Sequence, residues 1–379
     1  MNSLQGFFGA FTQALQGQLF PALEEELGPL GALHRAFVHT LGLLRLEGFT
    51  ARRQGPGRPP HDRASIARAF VAKAVFNLPH TRALLDRLAH DAALRRLCGW
   101  ERAGQLPDES VFSRAFAEFA GSEFGQRVHT ALIERTQSER LVGHILRDSS
   151  AIETRERPAP RKPVSEQARP RRAHRRAGTA KRPEQMTRVE RQASGAMTLD
   201  EMLAELPRAC DTGCKPSSKG TRHFWDGYKL HLDVADGQIP ISCLLTSASL
   251  NDNQVAIPLA IMSAARVTSL YDLMDAGYDC QAIREHSHSL GHVPLIPRQK
   301  RGAAEAAEMA PHEKARYRER TAAERVYARL KDEFGGRWVR VRGAAKVMAH
   351  LMFGILALAA DQILRWSGAA PPGDSPAWA

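Results

Sequence analysis

The sequence predicts an α/β protein: a mixed-sheet core preceded by an all-helical N-terminal region. Three observations carry this. Apolar residues recur at helical spacing through about residue 135. Beyond it, Tyr228–Val234 and Ile239–Thr246 read as strands joined at Asp236-Gly237, a hairpin signal. Further strand-like runs then alternate with helical ones, which indicates a sheet covered by helices.

In chain order, residues 1–50 mix apolar and acidic positions at helical spacing, and Gly55-Pro56-Gly57-Arg58-Pro59-Pro60 breaks the pattern. Helices are predicted over Ala64–Phe76, Thr81–Leu97 and Glu109–Phe119, the last entered through Pro107-Asp108. A helix pair entered this way has the outline of a DNA-reading unit, although helical pairs are common. Leu141–Leu146 is a short apolar strand ending at Arg147-Asp148-Ser149-Ser150. Alternation puts Tyr228, Leu230, Leu232 and Val234 on one face of the next strand. Val267–Met274 is a strand ending at Asp275, and Val293–Ile296 is another. Long helices follow over Pro311–Phe334 and Ala344–Trp366. The expected domains are a helical one at 1–135, serving DNA-end binding or dimerisation, a catalytic one at 136–370, and a disordered tail at 371–379.

The 379 residues hold 53 Lys or Arg against 41 Asp or Glu, a net charge of +12. Such a balance points to a polyanionic partner, nucleic acid or an acidic membrane surface. Forty-three percent hydrophobic residues exclude a wholly disordered chain. Five cysteines at irregular spacing do not form a secreted disulfide framework. The N-terminus lacks the basic and apolar segments of a signal peptide. The longest apolar run, Val347–Ala360, is shorter than the roughly 20 residues a membrane span needs, so a buried core helix and a cytoplasmic protein are expected. Residues 155–191 hold thirteen Arg or Lys, four Glu and five Pro, a net of nine positive charges. They have too few apolar groups to offset the entropy of ordering. A basic, mobile insertion is therefore expected at about 155–222, able to bind phosphates non-specifically.

The Pro311–Phe334 helix carries the chemistry. At 100° per residue, Tyr317, Arg320, Glu324 and Lys331 fall within an arc of about 60°. Ala323, Val326, Leu330 and Phe334 form an apolar face beside them, and Glu333 lies away from the stripe. Alone, a carboxylate among cations is a surface salt bridge. Here Asp148 and Asp275 close two strands. Three carboxylates from separate elements suit hard divalent cations and two-metal phosphoryl chemistry.

Tyr317, two residues, Arg320, three residues, Glu324, six residues and Lys331 match the Y-(2)-R-(3)-E-(6)-K signature of a group of bacterial insertion-sequence DDE transposases. Arg147-Asp148-Ser149-Ser150, Asp275-Ala276-Gly277-Tyr278-Asp279, Gly227–Leu232 and Leu245–Ser249 also resemble that family, as do Gly57–Pro60 and Pro107–Ser113. The resemblance covers roughly residues 55–365. It implies an RNase H-like core, with Asp148, Asp275 and Glu324 as catalytic residues and ligands of two Mg²⁺ (or Mn²⁺) ions. It also implies that Tyr317, Arg320 and Lys331 contact DNA. The activity implied is cleavage of insertion-sequence ends followed by attack of the 3′-OH on target DNA. The implied partners are double-stranded DNA, as terminal inverted repeats and target, and a second copy of the chain on that DNA. The implied location is the nucleoid. Better-known members carry a large insertion between the second Asp and the Glu; here only 48 residues intervene. A repurposed DNA-binding protein or a nuclease of the same fold are the alternatives.

Lesser signals are weaker. Gly57-Arg58-Pro59 reads first as an inter-helix turn and second as an arm reaching a minor groove, which makes Arg58 a candidate DNA contact. Cys210 and Cys214, with His223 and His231, hint at a zinc clip, but the return spacing is loose and free thiols are the better reading. Asp279 is the runner-up ligand, and Asp272 should face away from Asp275.

Overall fold

The computed structural model describes residues 19–50, 61–158, 186–216, 221–299 and 308–368. Arg58 and the basic stretch 159–185 lie outside them. Among the described residues seven α-helices come first: α1 (Phe20–Leu27), α2 (Ala32–Leu44), α3 (Arg63–Val75), α4 (Thr81–His90), α5 (Ala92–Cys98), α6 (Glu109–Gly121) and α7 (Phe124–Gln137). Thr81–Leu97 is thus two helices rather than one. The break is Asp91, whose carboxylate accepts the Leu94 N–H at 2.9 Å as a cap and also meets His34 and Arg87.

A six-stranded mixed sheet follows, with β1 (Leu141–Glu153), β2 (Asp211–Pro216), β3 (Arg222–Ala235), β4 (Ile239–Ser247), β5 (Thr268–Met274) and β6 (Val293–Leu295). β3 runs antiparallel to β1, from Ile145↔Ala235 to Glu153↔Gly227. Its other side pairs with β2 over its first half and β4 over its second. Gly227, at φ 151°, sits at that changeover, where an added Cβ would lie 2.2 Å from the Ile152 carbonyl oxygen. β5 runs parallel to β1, and β6 parallel to β5.

β1 is longer than its apolar run suggests. The polar Arg147–Ser150 stretch remains in the ladder, so Asp148 lies within the strand and not at its end. Burial of Arg147 is offset by Asp233, its register partner on β3. Around the described part of 155–222, α8 (Arg188–Ala193), α9 (Leu199–Ala204) and β2 are folded. Thr187 and Thr198 each cap their helix in a reciprocal box with a glutamate three residues on. Val189 and Met202 join a small core with α10 (Ala256–Ala264) and α11 (Gln281–Ser289) against Met274 and Tyr278.

The Pro311–Phe334 expectation needs correction. Helix α12 (Pro311–Tyr317) passes through a 3₁₀ turn at Arg318–Arg320 before α13 (Thr321–Asp332). The apolar face nonetheless survives: Ala323, Val326 and Leu330 are fully buried against the sheet. Helix α14 (Ala344–Trp366) contacts α2, α3, α6, α7, α13 and β4. One hydrophobic core runs from Phe37 and Phe70 through Leu230 to Leu356. Among the described residues α14 is the helix long and apolar enough to cross a membrane, but 89% of that stretch is buried inside the protein. Its apolar surface is taken up by the core.

Candidate active site

Asp148 and Asp275 are brought together by the sheet register. β1 and β5 are parallel neighbours whose last paired residues are Arg147↔Met274. The next residue on each chain is Asp148 and Asp275, so the two carboxylates leave adjacent chains at the same level, with strands about 4.8 Å apart. Asp275 accepts the Gly277 N–H at 2.8 Å and thereby caps the 3₁₀ turn Ala276–Tyr278. Asp148 accepts its neighbour's N–H, that of Ser149, at 2.8 Å.

Helix α13 lies over this pair. Arg320, at its N-terminus, reaches Asp148 with one guanidinium nitrogen at 3.6 Å and Glu324 with the other at 3.2 Å. One cation thus bridges two of the three acids. Tyr317 stands beside it, its ring centre 5.9 Å from the guanidinium carbon. Lys331, about two turns beyond Glu324, donates to the Ser150 hydroxyl at 2.8 Å, which ties the far end of the stripe to the same strand as Asp148. The 3₁₀ turn shifts the phase between Tyr317 and α13 without separating Tyr317 from Arg320.

Burial, and then the charge of Asp275, raise the Asp148 carboxyl to about 6, against the opposing effects of the Ser149 N–H and Arg320. Tyr317 is raised by burial and by both aspartates. Lys331 is lowered by burial and by Arg337. Burial is the leading cause in all three.

The donor set suits a hard divalent cation. It offers carboxylate oxygen alone, and the charge of Asp275 raises the cost of ionising Asp148. Among the described residues, no three His, Cys, Asp or Glu side chains are drawn together tightly enough to form a finished cage. Glu324 is 60% exposed and is engaged by Arg320. Asp148, Asp275 and Glu324 are therefore the residues that could hold a metal.

Other sequence candidates are placed elsewhere. Asp279 is paired with Arg284 at 2.8 Å and Arg298 at 3.6 Å. Asp272 is buried against His292 at 3.1 Å. The Cys210–Cys214–His223–His231 clip does not assemble: Cys214 is exposed, while His231 is buried on Thr246. His223 meets Glu153, and Cys210 faces the Glu156 carbonyl. Glu333 pairs with Arg329.

Two site residues escaped the sequence reading. Tyr327 donates its hydroxyl to the Asp148 carbonyl at 2.6 Å and lies 3.1 Å from the Leu230 carbonyl, which fixes α13 to β1 and β3. Its helical phase, about 280° from Tyr317, falls between the apolar face and the charged stripe, so the signal was present. Lys215, exposed on β2, adds positive potential at Asp148. Nothing in its local sequence marks it.

Residues 199–360 match the family described as Transposase DDE domain, and residues 31–118 match the Transposase domain (DUF772). The two matches support a DDE-type transposase. The DDE transposase match spans Asp275, Tyr317, Arg320, Glu324 and Lys331 and begins after Asp148. The helical transposase match runs from the start of α2 into α6. No curated protein and no solved structure matches the chain.

Proposed function

We propose that the chain is a transposase that cleaves insertion-sequence ends and joins the resulting 3′-OH to target DNA, using an RNase H-like core and the Y-(2)-R-(3)-E-(6)-K helix. The observation that carries this reading is Arg320 bridging Asp148 and Glu324, with Asp275 level with Asp148 on the neighbouring chain. A sheet whose antiparallel β4–β3–β1 part continues into parallel β5 and β6 supports the fold assignment.

Asp148, Asp275 and Glu324 would hold two Mg²⁺ or Mn²⁺ ions. Such ions, when bound, polarise the scissile phosphate and make water or a 3′-OH a stronger nucleophile. The protein's own groups do the rest. Arg320 balances the carboxylates and then offers its fork to phosphate oxygens. Tyr317 supplies a hydroxyl beside it, and Lys331 a point charge about three turns along. Tyr327 and Ser150 hold the helix at fixed height over Asp148. Cutting two ends together calls for a dimer on DNA, in the bacterial nucleoid.

The test uses duplexes from the DNA flanking the gene. The protein should nick the element's terminal inverted repeat in Mg²⁺ or Mn²⁺. Glu324→Gln should remove nicking and leave binding intact. A Glu324→Gln variant that nicks at the normal rate refutes the assignment. Binding with no nicking by the unaltered chain would favour a repurposed DNA-binding protein.

A further inference from the structure

A second site lies where the helical region meets the core. A cavity of about 330 Å³ opens between α3, α4, α6 and the segment joining α13 to α14. Lys73 of α3 and Arg340 of the joining segment line it. Neither has a hydrogen-bond or ion-pair partner among the described residues. Arg63, Arg68 and Arg96 of the same helical region are by contrast paired with Glu118, Glu47 and Glu26. Burial, and then the charge of Arg340, bring the Lys73 ammonium down to about 8.

The other polar groups at the cavity do not neutralise this charge. His80 accepts the Ala83 N–H through Nδ1. Burial and Lys73 push His350 down to about 3, and its Nε2 is bonded to the Gly335 carbonyl at 3.1 Å. Glu109 faces Arg82 at 3.5 Å. The N-terminus of α4, at Thr81, also opens on the cavity and adds positive potential. The remaining wall is aromatic, with Trp338 at 42% exposure. Arg340 is solvent-exposed, but Lys73 is partly buried without a partner, and a cation so placed costs free energy unless an anion joins it.

Position and size name the anion. The cavity is at the small end of ligand sites, with room for one phosphate and its sugar. From Glu324 to Asp332, α13 advances about 12 Å toward it. Phe334 and Gly335, just past the end of α13, already form its wall. The cavity therefore opens at the C-terminal end of the helix that carries Glu324 and Lys331. We propose that this cavity is a phosphate subsite in which Lys73 and Arg340 clamp a backbone phosphate of the DNA held at the Asp148–Glu324 site. The proposal rests on the DNA reading above.

The test is binding of the full chain, in EDTA, to a fluorescein-labelled duplex over a range of KCl concentrations. Lys73→Met keeps the side chain's length and apolar stem. It should weaken binding about tenfold at low salt and reduce the slope of log affinity against log salt by about one. Arg340→Gln should do the same. Inorganic phosphate should raise the melting temperature of the unaltered chain and not that of Lys73→Met. Melting of Lys73→Met without phosphate should be unchanged or higher, which separates lost binding from lost folding. An unchanged salt slope in both variants overturns the subsite even if free phosphate still stabilises the protein. Failure of the unaltered chain to bind duplex would overturn the DNA reading itself, and the subsite with it.

Discussion

Asp148→Asn is expected to abolish strand cleavage, by about 10³-fold or more, while leaving the chain folded. The loss follows from removing the one acid that both faces Arg320 and stands level with Asp275. Holding the groups that stabilise a phosphoryl-transfer transition state accounts for several kcal/mol of barrier, and each 1.4 kcal/mol is about tenfold in rate. Stability moves the other way. The Asp148 carboxyl is raised by burial, and by Asp275, to about 6 from an ordinary 3.8. The folded state therefore binds this proton more tightly than the unfolded chain. The stability it contributes is complete below about pH 3.8 and is lost as pH rises through about 6. At pH 7 the ionised group is a burden on the order of 3 kcal/mol. In EDTA, the melting temperature of the unaltered chain should rise between pH 7 and pH 5 relative to that of Asp148→Asn, which should be the more stable protein at pH 7. Parallel melting curves for the two proteins across that range would contradict this cost of ionising Asp148.

The second large effect is on folding. Arg147 is fully buried and meets Asp233 through two parallel bonds of 2.8 and 2.7 Å, and Ser263 donates to the same carboxylate at 2.6 Å. Asp233 and Asp272 together hold the Arg147 guanidinium firmly charged. This pair sits beneath the site: Arg147 precedes Asp148, and its Nη1 also touches Met274, the residue before Asp275. Asp233→Ala removes the bidentate partner of a buried guanidinium and should cost about 3–5 kcal/mol by chemical denaturation. Replacing both partners, Arg147→Met with Asp233→Leu, should recover most of that loss, because two apolar side chains need no partner. A double variant as unstable as the single one would mean that the pair is needed for more than its own neutrality.

The same residues explain how far the sequence could be read. Tyr228, Leu230, Leu232 and Val234 alternate with His231 and Asp233, which are buried on the other face but bonded to Thr246 and Arg147, so periodicity located β3. The polar Arg147–Ser150 stretch looked like the end of β1 because its compensation lies elsewhere in the chain, at Asp233 for Arg147 and at Lys331 for Ser150. The buried face of α13 was legible at Ala323, Val326 and Leu330. The 3₁₀ turn was not, since Arg318, Glu319 and Arg320 are polar and leave no periodic mark on which a tighter winding could register. β2 escaped because its partner is the first half of β3, which lies before the alternating run begins. In the candidate site, the residue types and spacing on one helix were visible. That Asp148 and Asp275 share a level depends on the β1–β5 register, a long-range pairing that no local pattern encodes. Lys73 and Arg340 meet for the same reason, across most of the chain.

We propose that Asp148, Asp275 and Glu324 together join DNA strands. The most direct measurement incubates the protein, with Mg²⁺ or Mn²⁺, with a labelled element end bearing a free 3′-OH and an unlabelled circular target. Label should become covalently joined to the target, and Asp148→Asn, Asp275→Asn and Glu324→Gln should each bind the end and form no joined product. Joining that persists in any of the three variants, or label released only as shortened fragments with none joined, would contradict the proposal.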